Sequence, residues 1–233
     1  MSLTNHIILL YSPLLKVLLK MQVSKLVLGE YENNCYIVRK ENSANCLIID
    51  TGLDNVPLLD FLKNNLLNPL GLVLTHGHGD HIAGVEILRK SYTDIKVYIH
   101  NADAQMLCNP VKNFSAILGR NIECSPADVL IEKEGATDFA GFKFDVLHTP
   151  GHTPGGICLY SSEDKTIFTG DTLFANSVGR TDFPGCDVHK CMQQLIENIQ
   201  KKIIVLPDDT KVMPGHGPAS TIKREKLENP YLQ

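Results

Sequence analysis

A short segment of the chain concentrates residues that could do chemistry. Residues 75–81 read Thr-His-Gly-His-Gly-Asp-His. Three imidazoles and a carboxylate this close together are costly to bury without a partner, and both kinds of group bind Zn, Fe, Mn or Ni. In an extended loop residues i and i+2 can face one ion, so His76 and His78 are predicted to share one. Asp80 and His81, at the turn into a predicted helix, can face a second.

Three further segments each place a His or an Asp beside Gly or Pro at the end of a predicted strand. They are Pro150-Gly151-His152-Thr153, Gly170-Asp171-Thr172 and Pro214-Gly215-His216-Gly217. A single residue of this kind is usually a solvated turn residue, but together with the first cluster they complete a ligand set on loops of a rigid scaffold. The predicted metal ligands are His76, His78, Asp80, His81, His152, Asp171 and His216.

Four other histidines fit no such pattern: His6, His100, His148 and His189. They are interpreted as structural or surface residues. His148 lies close enough in sequence to His152 to contact that ligand without itself binding the metal.

The elements that must position these residues are short apolar runs separated by Gly, Pro and Asn. Strands are predicted at 23–28, 35–39, 46–49, 70–75, 96–100, 129–132, 142–147, 156–160, 166–169 and 211–213. Apolar residues at helical spacing predict helices at 54–66, 80–90 and 188–201. Many strands mixed with few helices indicate two packed sheets with helices outside.

Length and composition predict one folded domain at residues 21–233. The chain has 233 residues, of which 43% are hydrophobic and 21% charged, as in ordinary globular proteins. Residues 1–20 are predicted to be an N-terminal extension whose role the sequence leaves open. Its apolar run is too short and broken to cross a membrane and lacks the features of a secretory signal. Either the biological start is Met21, or residues 1–20 form an amphipathic arm packed on the domain.

Charge and cysteine content indicate which partners and which cellular compartment to expect. The net charge is −4 and no Lys/Arg cluster stands out, so neither a nucleic-acid nor a membrane partner is expected. Seven cysteines occur without a C-x-x-C pair. An odd number in a chain of this length predicts free thiols in a reducing, cytoplasmic compartment rather than disulfides.

The order of these motifs resembles a known family. The series H-x-H-x-D-H, G-H-T, G-D-T-L-F and P-G-H-G, running from about Met21 to the C-terminus, is similar to the metallo-β-lactamase superfamily. It is most similar to the glyoxalase II (hydroxyacylglutathione hydrolase) branch and its short bacterial relatives, which Asn34-Cys35-Tyr36, Gly179-Arg180-Thr181-Asp182 and Asn229-Pro230 also resemble. The resemblance implies an α/β fold, a four-layer αββα sandwich, with metals at one edge of the two sheets.

The resemblance also implies how the ligands are shared. His76, His78 and His152 would hold one ion, Asp80, His81 and His216 the other, and Asp171 would bridge them. Asp80 and Asp171 would then be the catalytic carboxylates. Two divalent ions are expected, zinc first, with iron or manganese as alternatives.

The activity implied is hydrolysis of a small-molecule thioester, in which a metal-bound hydroxide attacks the carbonyl. The alternative is a mononuclear iron persulfide dioxygenase of the same fold, using His76 or His78, His152 and Asp171. A complete ligand set argues against an inactive scaffold, and net acidity argues against a nuclease. β-Lactamases of this fold often use a Cys ligand and lack a bridging Asp, so antibiotic hydrolysis is not expected.

Arg180 is the candidate substrate-binding residue. It could clamp a carboxylate or amide oxygen of the substrate, or it could fix its own loop by pairing with Asp182. The family's tyrosine two residues after the last ligand is replaced by Pro218, and Asp182 stands about where the family has an aromatic residue. The chain also ends 17 residues after His216, where full-length glyoxalase II continues into a helical domain that grips glutathione. Glutathione thioesters are therefore expected to be poor or unselective substrates.

Overall fold

The first sheet is built from the N-terminal part of the chain. The computed structural model describes residues 20–233, so the predicted extension lies, apart from Lys20, outside the described residues. Six strands pair in the order β1-β2-β3-β4-β5-β6: β1 Met21–Leu28, β2 Asn33–Lys40, β3 Asn45–Ile49, β4 Asn68–Val73, β5 Lys96–His100 and β6 Val129–Ile131. The first three run antiparallel, and β3 to β6 run parallel.

The second sheet is built from the C-terminal part. Its order is β14-β13-β10-β9-β8-β7, with β7 Gly135–Phe139, β8 Phe142–His148, β9 Ile157–Ser161, β10 Thr166–Gly170, β13 Lys211–Pro214 and β14 Ser220–Thr221. A small hairpin of β11 Leu173–Phe174 and β12 Ser177–Val178 follows β10. The helices are α1 Val56–Asn64, α2 Gly79–Ile82, α3 Val85–Ser91, α4 Ala104–Leu107, α5 Val188–Asn198 and α6 Ile222–Glu228.

Alternation along the central strands explains the layers. In β2, Tyr36 and Val38 pack between the two sheets, while Cys35 and Ile37 pack toward α1 and α3. In β9, the odd-numbered Ile157 and Leu159 enter the space between the sheets, and the even-numbered residues face α5 and α6. Because side chains of a strand point alternately to opposite faces, strands that are apolar throughout need cover on both sides. This arrangement confirms the predicted αββα sandwich.

The helix predicted at 80–90 is wrong in one respect, because the structure divides it into α2 and α3. Gly84 lies at the break, and its backbone N–H donates to Thr51 Oγ1 at 2.9 Å rather than to a carbonyl of the preceding turn. A side chain at Gly84 would lie 2.4 Å from Asn55 Oδ1, so the chain bends where it meets the loop after β3.

Six elements were not predicted, namely β7, β11, β12, β14, α4 and α6. Strand β7 has one buried apolar side chain, Phe139, so it carries little periodic signal. Helix α6 is dominated by charged residues. Its N-cap is Thr221, whose side chain accepts a hydrogen bond from the N–H of Arg224. The predicted helix at 188–201 ends earlier, at Asn198, and the chain continues as a π-helical turn over 199–203.

The expectation that all cysteines are free thiols is wrong for one pair. Cys186 and Cys191 form a disulfide, with Cα atoms 6.6 Å apart. The chain turns at Asp187, the N-cap of α5, and this turn brings the first turn of the helix back beside Cys186. Five cysteines are free, and four of them are buried.

No helix among residues 20–233 is long and apolar enough to cross a membrane.

Candidate metal centre

All seven predicted ligands meet at one edge of the sandwich. His76 and His78 lie in the loop after β4, and Asp80 and His81 lie in α2, which follows at once. The second sheet brings the other three: His152 between β8 and β9, Asp171 directly after β10, and His216 after β13. The first sheet thus supplies four of the residues and the second sheet three.

One group of ligands consists of imidazoles. His78 Nδ1 lies 3.1 Å from His76 Nε2 and 2.9 Å from His152 Nε2. Burial, together with the neighbouring imidazoles, lowers the pKa of His76 and of His78 well below the usual value. Both rings are therefore held neutral, the form in which an imidazole nitrogen binds a metal.

A second group combines a carboxylate with two imidazoles. His216 Nε2 lies 3.3 Å from both Asp80 Oδ2 and His81 Nε2, and His81 Nε2 lies 3.7 Å from Asp80 Oδ2. Burial acts to raise the pKa of Asp80, but the neighbouring His81 and His216 hold it below its usual value. Asp80 is therefore a charged carboxylate at the edge of the site.

Asp171 lies between the two groups. Its Oδ1 is 3.4 Å from His81 Nε2, and its Oδ2 is 3.5 Å from both His152 Nε2 and His216 Nε2. Burial acts to raise the pKa of Asp171, but the surrounding imidazoles hold it well below its usual value. The position is the one expected of a bridging ligand. The groups are not fully separate, because His76 also lies within reach of His81 and Asp171.

The buried donor atoms fit divalent cations. Asp171 Oδ1, which faces His81 Nε2, is buried without a hydrogen-bond partner, and leaving such an atom unpaired costs roughly 1–3 kcal/mol. Five imidazoles and two carboxylates converge, a donor set suited to zinc, iron or manganese. A side chain at Gly215 would lie 2.2 Å from Asp171 Oδ1, so the loop must carry glycine to approach this closely. The residues therefore fit a metal centre.

Residues behind the ligands fix the orientation of the rings. His152 Nδ1 lies 2.8 Å from the carbonyl oxygen of Arg180, and His216 Nδ1 lies 2.8 Å from that of Tyr31. His81 Nδ1 lies 3.0 Å from Asp50 Oδ2. A ring that donates from Nδ1 presents Nε2 to a metal, and such partners commonly tune ligand affinity. Asp50 was not predicted as a site residue, although it directly follows an apolar strand, as Asp171 does.

The motif Asn34-Cys35-Tyr36 positions the loop that carries His216. Asn34 Nδ2 donates to the carbonyl oxygens of Pro214 and Gly217, both at 2.9 Å, and Tyr36 Oη donates to Pro214 O at 2.7 Å. Both side chains are buried. This part of the sequence resemblance therefore has a structural role at the site.

A buried carboxylate ties two ligand loops together. Asp103 Oδ2 accepts from the N–H of Gly77, between His76 and His78, at 3.1 Å. Its Oδ1 accepts from the N–H of Gly155, three residues after His152, at 2.6 Å. The side chain is fully buried, and burial raises its pKa. The sequence gives no local signal for this residue, because its partners are distant along the chain.

We expect Asp103→Ala to weaken metal binding by about 10- to 100-fold, the range typical for residues that support ligands. The two loops would lose the acceptor that they share, and the ligand nitrogens would lose their fixed spacing. Competition titration with a chromogenic chelator measures the affinity. Asp60→Ala, at an exposed position on α1, is the control. Unchanged affinity in a folded Asp103→Ala protein would show that the loops are held by other contacts.

A cavity of about 670 Å³ opens over the ligands and is called here the ligand cavity. Its lining includes Asp80, Asp171 and His216 together with Phe114, Phe174, Arg180 and Phe183. The Arg180 guanidinium makes two hydrogen bonds to Asp182, at 2.7 and 3.0 Å, and lies 5.0 Å from the centre of the Phe183 ring. The pairing of Arg180 with Asp182, one of the two roles that the sequence allowed for Arg180, is thus present.

The expectation that this loop lacks an aromatic surface is wrong. Phe183, one residue beyond Asp182, lies 4.6 Å from the His78 ring and 5.2 Å from the His152 ring. Phe114, from a loop distant in sequence, lies 4.8 Å from Phe183. His148, considered as a support for His152, stacks on His100 with ring centres 4.0 Å apart, and its Nε2 lies 2.9 Å from the carbonyl oxygen of Pro154, in the loop that carries His152.

Comparison with known proteins agrees with this geometry. A family model described as the metallo-beta-lactamase superfamily matches residues 28–220, and the chain therefore belongs to the metallo-β-lactamase superfamily. It is 33% identical over 213 residues to the probable metallo-hydrolase YqgX of Bacillus subtilis, covering 91% of this chain and 98% of that protein. It is 34% identical over 214 residues to hydroxyacylglutathione hydrolase GloC of Haemophilus influenzae, with the same coverage. Family and donor cluster together define a metallo-hydrolase.

Solved structures give the same class. The chain is similar to the B3 metallo-beta-lactamase BLEG-1 (TM-score 0.85, 38% identity, covering 91% of this chain and 100% of that one). It is similar to TTHA1623 in a di-iron-bound form (TM-score 0.78, 34% identity, 90% and 100%). It is also similar to ETHE1 from Myxococcus xanthus (TM-score 0.72, 27% identity, 90% and 83%).

Proposed function

We propose that this protein is a metal-dependent hydrolase of small thioesters that uses two divalent ions, with zinc as the expected metal. The observation that carries the proposal is the position of Asp171, whose two oxygens face ligands of both groups. The relative named hydroxyacylglutathione hydrolase supports a thioester substrate. The di-iron-bound relative makes iron the first alternative to zinc.

The ions would lower the pKa of a bound water toward neutrality and polarise the substrate carbonyl. Among the chain's own groups, the charged carboxylate of Asp80 lines the ligand cavity and can accept a hydrogen bond from that water, which orients it. Asp171 holds the two ligand groups at a fixed spacing. The aromatic rings of Phe114 and Phe183 limit water access on one side.

A thioester suits this cavity because its leaving group is a thiolate. A thiolate departs as an anion at neutral pH, since thiol pKa values are near 8.5, and so needs little help from a general acid. Apart from the ligands, the cavity lining offers the hydroxyls of Tyr31 and Ser177 and the guanidinium of Arg180, which does not deprotonate in proteins. None of these groups is needed to protonate a thiolate.

Metal analysis combined with a substrate panel tests the proposal. The purified protein, loaded with zinc, is assayed against an acetyl thioester, S-lactoylglutathione, a cephalosporin and glutathione persulfide. Thioester hydrolysis with two ions per chain is expected. Oxygen consumption with the persulfide and one iron per chain would favour the mononuclear persulfide dioxygenase, which the similarity to ETHE1 supports. Preferential cephalosporin cleavage would replace the thioester by a β-lactam.

The thiol carrier is expected to be held weakly. Pro218 stands where the resemblance implies a tyrosine, and this change removes a contact to a glutathione arm. Asp182 stands where the resemblance implies an aromatic residue, and the next residue, Phe183, supplies an aromatic ring to the cavity. Binding energy from remote parts of a substrate contributes to turnover as well as to KM. We therefore propose that S-lactoylglutathione is hydrolysed unselectively and with a high KM. A low-micromolar KM with strong preference over other thioesters would contradict this.

We expect Arg180→Ala to raise KM for anionic thioesters by roughly 3- to 30-fold while leaving kcat nearly unchanged, because a positioning contact binds ground state and transition state alike. Steady-state kinetics on an anionic and a neutral thioester measure the effect. Asp182→Asn is the matched variant, since it frees the guanidinium from its present partner. If both variants lose stability and neither changes KM, the pair only fixes its loop.

We also propose that the protein lies in the cytoplasm, a compartment in which thiols stay reduced. Burial raises the pKa of the Cys158 thiol to about 11 and that of Cys46 to about 12, so both stay protonated and unreactive. Among residues 20–233 the oxidised pair joins Cys186, just before α5, to Cys191 in the first turn of α5, and both residues are half-buried. Immunolocalisation in the native host, with fractionation, tests the assignment.

A further inference from the structure

A second cavity begins at the same ligands as the ligand cavity. It has a volume of about 850 Å³, within the range of roughly 300–1,000 Å³ typical of small-molecule sites, and is called here the side groove. Both cavities reach His78 and His152. Phe114 and Phe183 line both, and each packs against the His78 ring, at 5.3 and 4.6 Å. The two rings therefore form a wall shared by the cavities.

Most of the surface that lines the side groove is apolar, and the groove lacks Asp80, Asp171 and His216, which line the ligand cavity. Beyond the shared wall, apolar side chains line it: Met106, Val111, Ile117, Pro150 and Pro154. Both lysines of the lining have a polar partner beside them. Lys112 Nζ donates to Gln105 Oε1, and Lys190 Nζ lies 3.5 Å from Asp187 Oδ2. A ligand that enters the groove thus gains from burial of apolar surface rather than from charge.

The geometry points to the side groove as the site of the acyl chain of the substrate, an inference that rests on the proposed thioesterase function. A thiol carrier has polar amide or carboxylate groups, which fit the ligand cavity with Arg180 and Tyr31. An acyl chain can be wholly apolar. A carbonyl placed at the ligands leaves its acyl chain beside His78 and His152, where the groove begins. The substrate class is then a thioester of a medium-length apolar acyl group.

A chain-length series tests this assignment. Acetyl, butyryl, hexanoyl and decanoyl thioesters of one common thiol are compared on the metal-loaded protein. Each methylene that enters the groove contributes about 0.8 kcal/mol, so kcat/KM is expected to rise roughly three- to fourfold per methylene until the groove is filled. Ala102→Phe fills the groove from an exposed position, and Val111→Asp makes its lining charged. Ala136→Phe, at an exposed position on β7 outside both cavities, is the matched control.

The groove variants are expected to lose about tenfold or more on the decanoyl thioester and to keep acetyl hydrolysis, whereas the control is expected to keep both activities. A flat chain-length profile, or an equal loss on acetyl and decanoyl substrates, would overturn the assignment. Binding of decanoate, measured by calorimetry, separates the two proposals if no thioester is hydrolysed. Decanoate binding that Ala102→Phe abolishes supports the groove while the thioesterase function fails. No decanoate binding, or binding unaffected by Ala102→Phe, refutes the groove.

Discussion

Asp171→Asn should lower kcat/KM by on the order of two powers of ten or more, as expected when catalytic geometry is displaced. The amide is neutral, and one of its two ends presents N–H donors where an oxygen now faces imidazole nitrogens at 3.4 and 3.5 Å. It therefore cannot serve both ligand groups, and the negative charge that offsets two cations is lost. Steady-state kinetics with parallel metal analysis measures the effect.

Asp145→Asn is the control for this variant, because it makes the same chemical change in the second sheet, on β8, outside the ligand cluster. Its turnover should match the unmodified protein. Near-normal turnover of Asp171→Asn, with its metal content unchanged, would show that Asp171 is not the bridge.

Removing the metals should abolish turnover and lower the melting temperature. Five imidazoles and two carboxylates then lie close together without the cations that would pair with their donor atoms. At an ion concentration of about 100 times Kd, binding stabilises the folded state by about 2.7 kcal/mol, which corresponds to roughly 5–10 °C for a chain of this size. Chelation followed by calorimetry measures the shift, and readdition of zinc should restore both activity and melting temperature.

Metal stoichiometry is the sharper part of this experiment. Mass spectrometry under native conditions should give two ions per chain. His81→Ala is the informative variant, because His81 belongs to the group with Asp80 and His216 and not to the imidazole group around His78. It should retain one ion. A single ion in the unmodified protein, with His81→Ala unchanged, would rule out a dinuclear centre.

The ligands could be found from the sequence because their signal is local. Residues 75–81 place four donor residues within seven positions, and the later candidate ligands each follow a glycine after a strand. Apolar runs such as those of β2 and β9 likewise predicted a sheet covered on both faces. Local spacing is enough to predict these features, because the donor residues and the alternation of a strand both involve residues that are close together in the sequence.

The supporting residues could not be found in this way. Asp50 contacts His81 across 31 positions, and Asp103 joins glycines 26 and 52 positions away. Phe114 and Phe183 form their wall only after the two sheets have packed. The break between α2 and α3 has the same origin, because Thr51 captures the N–H of Gly84. Each depends on tertiary contacts that sequence periodicity does not record.

The division of the chain between the two sheets bears on how the protein assembles. Strands β1 to β6 come from residues 21–131, and β7 to β14 from residues 135–221, so each sheet can form from a contiguous stretch of chain. Four ligands belong to the first stretch and three to the second. Because contacts distant in sequence carry a loop-closure cost, the complete donor set exists only after the sheets have docked. We therefore expect tight metal capture to be a late event in folding that stabilises the docked state of the two halves of the chain.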